Sequence, residues 1–320
     1  MDVNLGTSES RLSIDELDRA LIAELKSDGR QSLASLGSAI GLSGDSAKDR
    51  LDRLTRLGIV KVTCSLDPKV LGYTSITLVG VKVSGPAEPI AEQLALVTEF
   101  DFVTCTAGEY DILVEVVCKS DAQLLQLIDS ELRSRPDVLS LVCFSYLDVL
   151  KFQSGGSDAS VPLDGQVYVG LDEVDHAIIS ELQIDGRVSF QELAEKIGVP
   201  YQTTRRRARH LLESGVVRPQ VLTNRVVEGS AVIAGVNLRT SGPIPAIAKE
   251  LAKLDEVEIA VLTTGSFDLM LEVACRDRQH LANLVGEVLP SIKGVVSTET
   301  NIYLRVVKLP QSWDGLVRQL

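Results

Sequence analysis

Apolar residues recur at two different spacings along the chain, and each spacing occupies its own stretch. From Asp15 to Ser27 they fall at three- and four-residue intervals, with Leu21 and Leu25 on one side, which predicts an amphipathic helix. Ser13 and Glu16 fit a capping box at its start. Further on, short apolar runs such as ITLVGVKV at 76–83 are typical of strands. The pattern therefore predicts helices first and strands afterwards.

Two more helical patterns follow the first one. A second helix starts at Ser32 and stops at Gly41, and a third ends at Gly58, each glycine being suited to the end of a helix. Two helices joined by a tight, glycine-containing turn predict a helix-turn-helix of winged-helix-like type. The strands that follow alternate with two further helices in the order βαββαβ, which predicts a ferredoxin-like sheet with helices on one face.

The whole pattern occurs twice. Adding 157 to a residue number repeatedly gives the same residue type, and 18 of the 47 positions from Asp15 to Lys61 are identical at this offset. Chance would give about one match in twenty, so the chain is a tandem duplication. Each sheet has an apolar face that needs a cover, and the sister sheet or another chain can supply it. We therefore expect an α+β protein that is a covalent pseudo-dimer.

The repeat gives the expected boundaries. They are a disordered leader at 1–12, a helix-turn-helix at 13–62, a ferredoxin-like domain at 63–152, a Gly- and Ser-rich linker at 153–170, a second helix-turn-helix at 171–219, a second ferredoxin-like domain at 220–310 and a tail at 311–320. No apolar run is long enough for a membrane span, and the N-terminus has no secretory signal, so we expect a cytoplasmic protein. The five cysteines lie far apart among apolar neighbours, which favours reduced core thiols over a disulfide or metal framework.

A local positive charge stands out in this acidic chain, whose formal net charge is −12. The third helix of the second module carries four arginines, and its expected inward residues are Thr204, Ala208 and Leu211. The residues left outside, or beside that apolar stripe, can read base edges or neutralise phosphate. We predict as DNA-binding residues Gln202, Thr203, Arg205, Arg206, Arg207, Arg209 and His210, with Arg207 on backbone phosphate.

The matching helix of the first module differs in charge. From Gly44 to Leu54 it is neutral, whereas Tyr201 to Leu211 carries +4 from its arginines. We expect two internal pairs, Asp49 with Arg53 and Asp52 with Arg56, at helical i,i+4 spacing. The candidate DNA contacts here are Ser46, Lys48, Arg50 and Arg53. The hypothesis is that the second module supplies most of the affinity for double-stranded DNA.

The stretches LDRALIAELKSDGRQSLASLGSAIGLS, VDHAIISELQIDGRVSFQELAEKIGVP, AGEYDILVEV and TGSFDLMLEV resemble the Lrp/AsnC transcription regulators. That resemblance implies a DNA-binding helix-turn-helix and a ferredoxin-like domain for oligomerisation and amino-acid sensing. Family members normally have one copy of each, and this chain has two. The resemblance also implies homo-oligomers formed through the ferredoxin-like sheets.

In the family, a G-x-[YF]-D loop between the second and third strands of the ferredoxin-like domain helps to hold the effector. The resemblance therefore implies an effector site at Gly108, Tyr110 and Asp111 and at Thr264, Gly265, Phe267 and Asp268, with Thr106 and Thr263 as weaker candidates. The same residue types also suit a tight turn that serves only the fold. Both interpretations remain open from the sequence.

Two other functions compete with the regulator. Siroheme decarboxylases resemble the same architecture, some with two halves, and their chemistry relies on histidine and arginine near a tetrapyrrole. Here His176, His210 and His280 fall on predicted helices away from the sheet face, and there is no catalytic triad, metal-ligand cluster or phosphate loop. We therefore expect no enzyme, cofactor or metal. A ligand-sensing scaffold without DNA binding is the third interpretation.

Overall fold

The computed structural model describes residues 14–66, 72–152, 171–223 and 232–308. Within these ranges the chain forms two helix-turn-helix domains and one β-barrel flanked by helices. The predicted leader, linker and tail, at 1–12, 153–170 and 311–320, lie outside the described residues. In the described ranges no helix combines the length and the apolar character that crossing a bilayer requires.

The first helix-turn-helix domain buries the apolar face that its sequence pattern predicts. Its elements are α1 (Glu16–Ser27), α2 (Leu33–Ala39), α3 (Gly44–Arg56) and β1 (Val60–Leu66). Leu21, Leu25 and Leu54 are fully buried in its core. The predicted capping box at Ser13 and Glu16 is wrong, because Asp15 is the N-cap and exchanges hydrogen bonds with Asp18: each side chain accepts from the other's backbone N–H, at 2.8 and 3.0 Å.

The second helix-turn-helix domain repeats this arrangement. Its elements are α6 (Glu173–Ile184), α7 (Phe190–Ile197), α8 (Tyr201–Glu213) and β6 (Val217–Thr223). Asp172 and Asp175 form the same reciprocal cap at the start of α6, and Ser189 caps α7 as predicted. The two third helices begin differently, since Ser43 caps α3 with its hydroxyl whereas α8 follows Pro200 and has no side-chain cap.

A two-stranded ribbon that the sequence analysis did not predict joins the two domains. Strand β1 pairs antiparallel with β6, from Val60 opposite Thr223 to Leu66 opposite Val217. At the centre Thr63 faces Gln220, its own equivalent at the repeat offset. The ribbon therefore relates the two domains by a local pseudo-two-fold axis.

The remaining elements form two βαββαβ halves, as predicted. The first half contains β2 (Ser75–Val83), α4 (Ala87–Leu94), β3 (Phe100–Ala107), β4 (Ile112–Cys118), α5 (Asp121–Leu127) and β5 (Val138–Phe152). The second half contains β7 (Val232–Thr240), α9 (Ile244–Ala252), β8 (Val257–Thr263), β9 (Leu269–Cys275), α10 (Arg278–Asn283), α11 (Leu289–Ser291) and β10 (Val295–Lys308). A π-helical turn extends α5 over Ile128–Arg133, and another joins α10 to α11 over Leu284–Val288.

The two halves close into one eight-stranded barrel. Its strand order is β10-β3-β4-β2-β5-β8-β9-β7, and antiparallel pairing of β5 with β8 and of β10 with β3 joins the halves. The sister half thus covers the inner face of each sheet, as the duplication predicts. The expectation that chains associate through these sheets needs correction, because the inner faces of the described strands are already enclosed within one chain.

The barrel interior is apolar with a polar centre. Its buried apolar residues include Leu113, Phe144 and Met270, while separate cores on the outside pack each half against its own helices. Inside, the Tyr146 hydroxyl donates to Glu115 Oε2 at 2.8 Å. Burial raises the pKa of Glu115 to about 7, and the negative charges of Asp101 and Glu272 act in the same direction. Glu115 is therefore a proton-binding group near neutral pH.

This raised pKa predicts a pH-dependent stability. The folded chain binds a proton at Glu115 that the unfolded chain, with a pKa of about 4.3, releases earlier, so stability falls as pH rises from about 4.5 to 7. Glu115→Gln keeps an acceptor for Tyr146 and removes the titration. We expect it to be more stable than the parent at pH 8, by about 1–3 kcal/mol, and close to the parent at pH 4.5.

Thermal unfolding of both chains across this pH range measures the difference. Glu109→Gln removes one charge from an exposed loop and is the control. A Glu115→Gln effect that is the same at pH 4.5 and pH 8 would contradict the assignment.

Candidate nucleic-acid interface

The outward face of α8 is basic and largely accessible. Thr204, Ala208 and Leu211 are buried beneath the helix, as predicted. Of the predicted DNA-binding residues, Gln202, Arg206, Arg209 and His210 are exposed, while Thr203, Arg205 and Arg207 are half-buried at the edges of the face. The helix thus presents its polar residues on a single side.

Most of the positive charge on this face is unneutralised. Within the described part of the chain, Arg205 and Arg206 make no hydrogen bond or ion pair. Arg209 lies 3.8 Å from Glu213, in a pair whose side chains are both more than half exposed. Such an exposed pair contributes little and exchanges readily for a phosphate. Three guanidinium groups are therefore available to an anionic ligand.

Arg207 has a different place. Its Nη1 lies 2.7 Å from Asp172 and 3.0 Å from Asp175, the two aspartates that cap α6. The hydrogen bonds from these carboxylates raise the pKa of the Arg207 guanidinium. The predicted phosphate contact is thus replaced by an ion pair that ties α8 to α6, because a carboxylate within the domain already occupies the guanidinium.

The third helix of the first module commits its cations internally. Arg50 donates to Asp15 and Asp18, both at 2.8 Å, and Arg53 also pairs with Asp18, which is fully buried. Lys48 pairs with Asp52 at 2.8 Å. The predicted pairs of Asp49 with Arg53 and of Asp52 with Arg56 are wrong.

The reason lies beneath the helix. Asp18 faces α3 from α1, and a buried carboxylate attracts a guanidinium more strongly than an exposed helical neighbour does.

The repeat offset allows a position-by-position comparison of the two faces. Gln202, Arg206 and Arg209 of α8 correspond to three exposed aspartates of α3, Asp45, Asp49 and Asp52. Arg205 corresponds to Lys48, and Thr203 to Ser46, whose backbone N–H donates to the capping Ser43. The outward face of α3 is thus acidic at the positions where α8 is neutral or basic.

The G-x-[YF]-D loops close the barrel. The rings of Tyr110 and Phe267 are buried inside it and pack against Phe144. A Cβ at Gly80 would lie 2.5 Å from the Tyr110 ring, so the glycine on β2 makes room for it. A Cβ at Gly108 would similarly meet the backbone of Thr300 in the other half. These residues lie where the two halves meet.

The polar residues of the loops bind backbone of the same fold. Asp111 accepts the N–H of Val83 at 2.9 Å, and Asp268 accepts the N–H of Thr240 at 2.6 Å. The hydroxyls of Thr106 and Thr263 donate to the carbonyls of the loop residues Tyr110 and Phe267. In Thr264 the backbone N–H donates to Ser145 across the halves.

Of the two open interpretations, these contacts support a structural turn. The exposed loop tips at 107–109 and 264–266, which include Gly265, remain accessible to a ligand.

The groups expected to be inert are placed as follows. His176 and His210 are exposed on helices, and His280 lies 2.9 Å from Glu256 on the outside of the barrel. In the described ranges no cluster of three or more His, Cys, Asp or Glu side chains is arranged to hold a metal ion. Four of the cysteines are buried, but Cys143 is exposed on β5, so the prediction of core thiols is wrong for that residue.

The sequence analysis missed the role of the two D-G-R segments, which it used only as evidence for the repeat. Arg30 donates to the carbonyls of Gly186 and Val188, and Arg187 donates to those of Gly29 and Gln31, at 2.6 and 2.8 Å. Each arginine therefore reaches into the other helix-turn-helix domain. The identity of the triplet in both modules was the available signal, but pairing between the modules is not visible in a single sequence.

Comparison with known families agrees with this division. The AsnC-type helix-turn-helix domain matches residues 14–55 and 171–212, and the Lrp/AsnC ligand binding domain matches 231–313. A C-terminal dimeric alpha+beta barrel domain matches residues 74–155. An uncharacterized HTH-type transcriptional regulator of Pyrococcus abyssi is 37% identical over 142 residues, which are 44% of this chain and 90% of the relative.

The chain belongs to the Lrp/AsnC family. The leucine-responsive regulatory protein of Rhizobium meliloti is also similar, with 31% identity over 147 residues, 44% of this chain and 94% of that protein. Each of these two relatives is covered almost completely by less than half of the chain, which is consistent with a double-length Lrp/AsnC protein.

A solved structure shares the fold over nearly the whole length. The siroheme decarboxylase NirDL covers 94% of this chain and 97% of its own, with a TM-score of 0.65 and 16% identity. At this identity the likeness describes the architecture of the Lrp/AsnC chain only.

The ion pairs under the two third helices predict unequal stabilities. Asp18→Ala removes the acceptor of both Arg50 and Arg53, and we expect it to lower the free energy of unfolding of the first domain by about 1–3 kcal/mol. The matched Asp175→Ala removes one acceptor of Arg207, and because the Asp175 side chain is 13% exposed, against 1% for Asp18, its effect should be smaller.

Hydrogen exchange of α1 and α6 in the full-length chain resolves the two domains. A larger loss of protection in α6 after Asp175→Ala than in α1 after Asp18→Ala would contradict this order.

Proposed function

We propose that this Lrp/AsnC protein is a sequence-specific, DNA-binding transcriptional regulator whose second helix-turn-helix domain supplies most of the affinity. The observation that carries the proposal is the difference between the two third helices. On α8 the guanidinium groups of Arg205, Arg206 and Arg209 are available, whereas on α3 Arg50 and Arg53 are bound to buried or capping aspartates.

Electrostatics support a local rather than a general attraction to DNA. A net charge of −12 repels phosphate at long range, so binding depends on a place where positive charge is concentrated. The face of α8 is such a place, and the acidic face of α3 lowers the affinity of the first domain. We therefore assign Ser46 and Lys48 a minor contribution.

The positions on α8 suggest separate tasks. Gln202 and Thr203 lie near the N-terminus of the helix, the end that meets base edges in helix-turn-helix complexes. Arg206 and Arg209 project further along the exposed side, and an arginine there can bind guanine bidentately or neutralise phosphate. His210 extends the same face as a hydrogen-bonding group.

The proposal includes an amino acid or related small metabolite as effector. Because Tyr110, Phe267 and the loop aspartates serve the fold, an effector would contact the exposed loop tips at 107–109 and 264–266. Glycine at 108 and 265 leaves the backbone N–H and C=O groups of these tips open to a small zwitterion. The named relatives in the Lrp family include the leucine-responsive regulatory protein, which supports this class of ligand.

The enzymatic alternative is supported by architecture alone. The chain shares its fold with a siroheme decarboxylase, but in the described ranges none of its histidines faces the barrel interior: two lie exposed on helices and the third pairs with Glu256 outside the barrel. The available arginines lie on the helix-turn-helix domain instead. This distribution favours the regulator.

The asymmetry predicts unequal losses of DNA affinity. Arg205→Ala with Arg206→Ala removes two available cations from α8, and we expect binding to weaken by about 30-fold or more. Lys48→Ala with Arg56→Ala removes two exposed cations from α3, and we expect a change of about fivefold or less. Titration of duplex DNA at several salt concentrations measures both affinity and the number of phosphate contacts.

The salt dependence adds a second criterion. The α8 variant should also reduce the slope of log affinity against log salt by about two, since each lost phosphate contact releases one counterion fewer. Equal losses in the two variants would contradict the asymmetry. No binding of the parent chain at low salt would overturn the regulator and favour a ligand-sensing scaffold.

A further inference from the structure

The two D-G-R segments form one structure, which we call the clasp: residues 28–30 and 185–187 with the ribbon of β1 and β6. In each segment the aspartate side chain accepts the backbone N–H of the arginine, at 2.9 Å for Asp28 and 2.8 Å for Asp185. This hydrogen bond shapes the turn from which the arginine leaves. The aspartate therefore orders the loop, and the arginine is directed away from its own domain.

The arginines cross between the domains reciprocally. Each guanidinium uses both Nη atoms, and its acceptors are carbonyl oxygens on either side of the other domain's arginine. The Arg30 guanidinium also lies 5.3 Å from the centre of the Phe190 ring. Two carbonyl acceptors at a fixed spacing match the planar fork of arginine, and a lysine cannot reproduce that geometry.

The clasp is partly withdrawn from water. Gly29 and Gly186 are buried, and both arginines are half-buried. Burial, with the nearby charge of Arg30, lowers the pKa of the Arg187 guanidinium. Two like charges this close would separate without compensation, so the four carbonyl contacts have to be made together. Such a contact has one geometry and tolerates little displacement.

The backbones approach closely at the same place. The N–H of Gly186 donates to the carbonyl of Val62 at 2.9 Å, and a Cβ at Gly186 would lie 2.5 Å from the carbonyl oxygen of Thr63. At the equivalent Gly29 the nearest atoms are side-chain carbons at 3.4 Å, an ordinary contact. An alanine at 186 therefore separates the ribbon from the loop, and an alanine at 29 does not.

We propose that Arg30 and Arg187 are positioning residues that hold α3 and α8 at one fixed separation, so that DNA is bound only when its two contact segments lie at the matching spacing. This inference rests on the proposed function. It gives the first helix-turn-helix domain a task that does not require strong DNA contacts of its own. The domain sets the geometry in which its partner meets the duplex.

The first test needs no DNA. Spin labels at Arg56→Cys and Glu213→Cys, equivalent exposed positions at the ends of α3 and α8, report their separation in the full-length chain. The exposed Cys143 is replaced by serine in this background, since the other cysteines are buried. We expect one narrow distance distribution in the parent and a broad one after Arg30→Ala with Arg187→Ala.

Three variants guard against a trivial result. Arg133→Ala with Arg278→Ala removes the same charge from exposed barrel helices and should leave the distribution narrow. Gly186→Ala disturbs the clasp without touching an arginine and should broaden it, whereas Gly29→Ala should not. A narrow distribution in both the double arginine variant and Gly186→Ala would overturn the proposal.

The second test uses a duplex enriched from random-sequence DNA by the parent chain. Inserting about five base pairs between its two protected segments rotates one of them to the opposite side of the duplex. We expect the parent to lose about tenfold in affinity on insertion and the double arginine variant to lose about twofold or less. An equal penalty in both chains would overturn the spacing role.

The two tests separate this inference from the function on which it rests. If no DNA is enriched, the proposed function fails, while the spin-label distances still report whether the arginines hold the two helices together. If DNA is enriched and the distances broaden as expected, an affinity that ignores spacing in the parent would leave the regulator intact and contradict the positioning role.

Discussion

The inner face of each four-stranded sheet must be covered, and in this chain the sister sheet covers it. Pairing of β5 with β8 and of β10 with β3 turns two incomplete halves into a barrel that has no unpaired edge in its strand order. The same relation brings the two helix-turn-helix domains together, where β1 and β6 pair about their midpoint. The pseudo-two-fold arrangement of the molecule depends on this closure.

A single chain allows the two halves to differ, which two copies of one sequence cannot do. The scaffold positions have stayed alike: the capping aspartates, the arginine that binds them on the third helix and the D-G-R segments occur in both modules. The outward positions of α3 and α8 have diverged in charge. Divergence is thus concentrated where no contact within the fold fixes the residue type, and this is where DNA recognition is proposed.

Much of the fold follows from local patterns in the sequence. The helices, the βαββαβ order and the cover supplied by the sister sheet depend on periodicity and on the repeat, and both are visible in a single chain. The ribbon of β1 and β6 was missed because its partner lies in the other module. The ion pairs of α3 were predicted within the helix for the same reason, since the stronger acceptor, Asp18, approaches from α1.

The candidate site divides along the same line. Which residues of α8 point outward could be predicted from helical spacing, and Arg206 and Arg209 are exposed as that spacing requires. The commitment of Arg207 to Asp172 could not, because it depends on how two helices pack. For the G-x-[YF]-D loops the residue types suit a ligand and a turn equally, and only the burial of Tyr110 and Phe267 distinguishes the two.

The account's central claim is that charge on the outward face of the third helix sets the affinity of each domain for DNA. Its most direct test transfers the face of α8 to α3 by Asp45→Gln, Asp49→Arg and Asp52→Arg, three exposed positions whose equivalents are Gln202, Arg206 and Arg209. Titration with duplex DNA should show affinity higher than the parent's by about tenfold or more, with a steeper salt dependence. Unchanged affinity and salt dependence in a folded variant would contradict the claim.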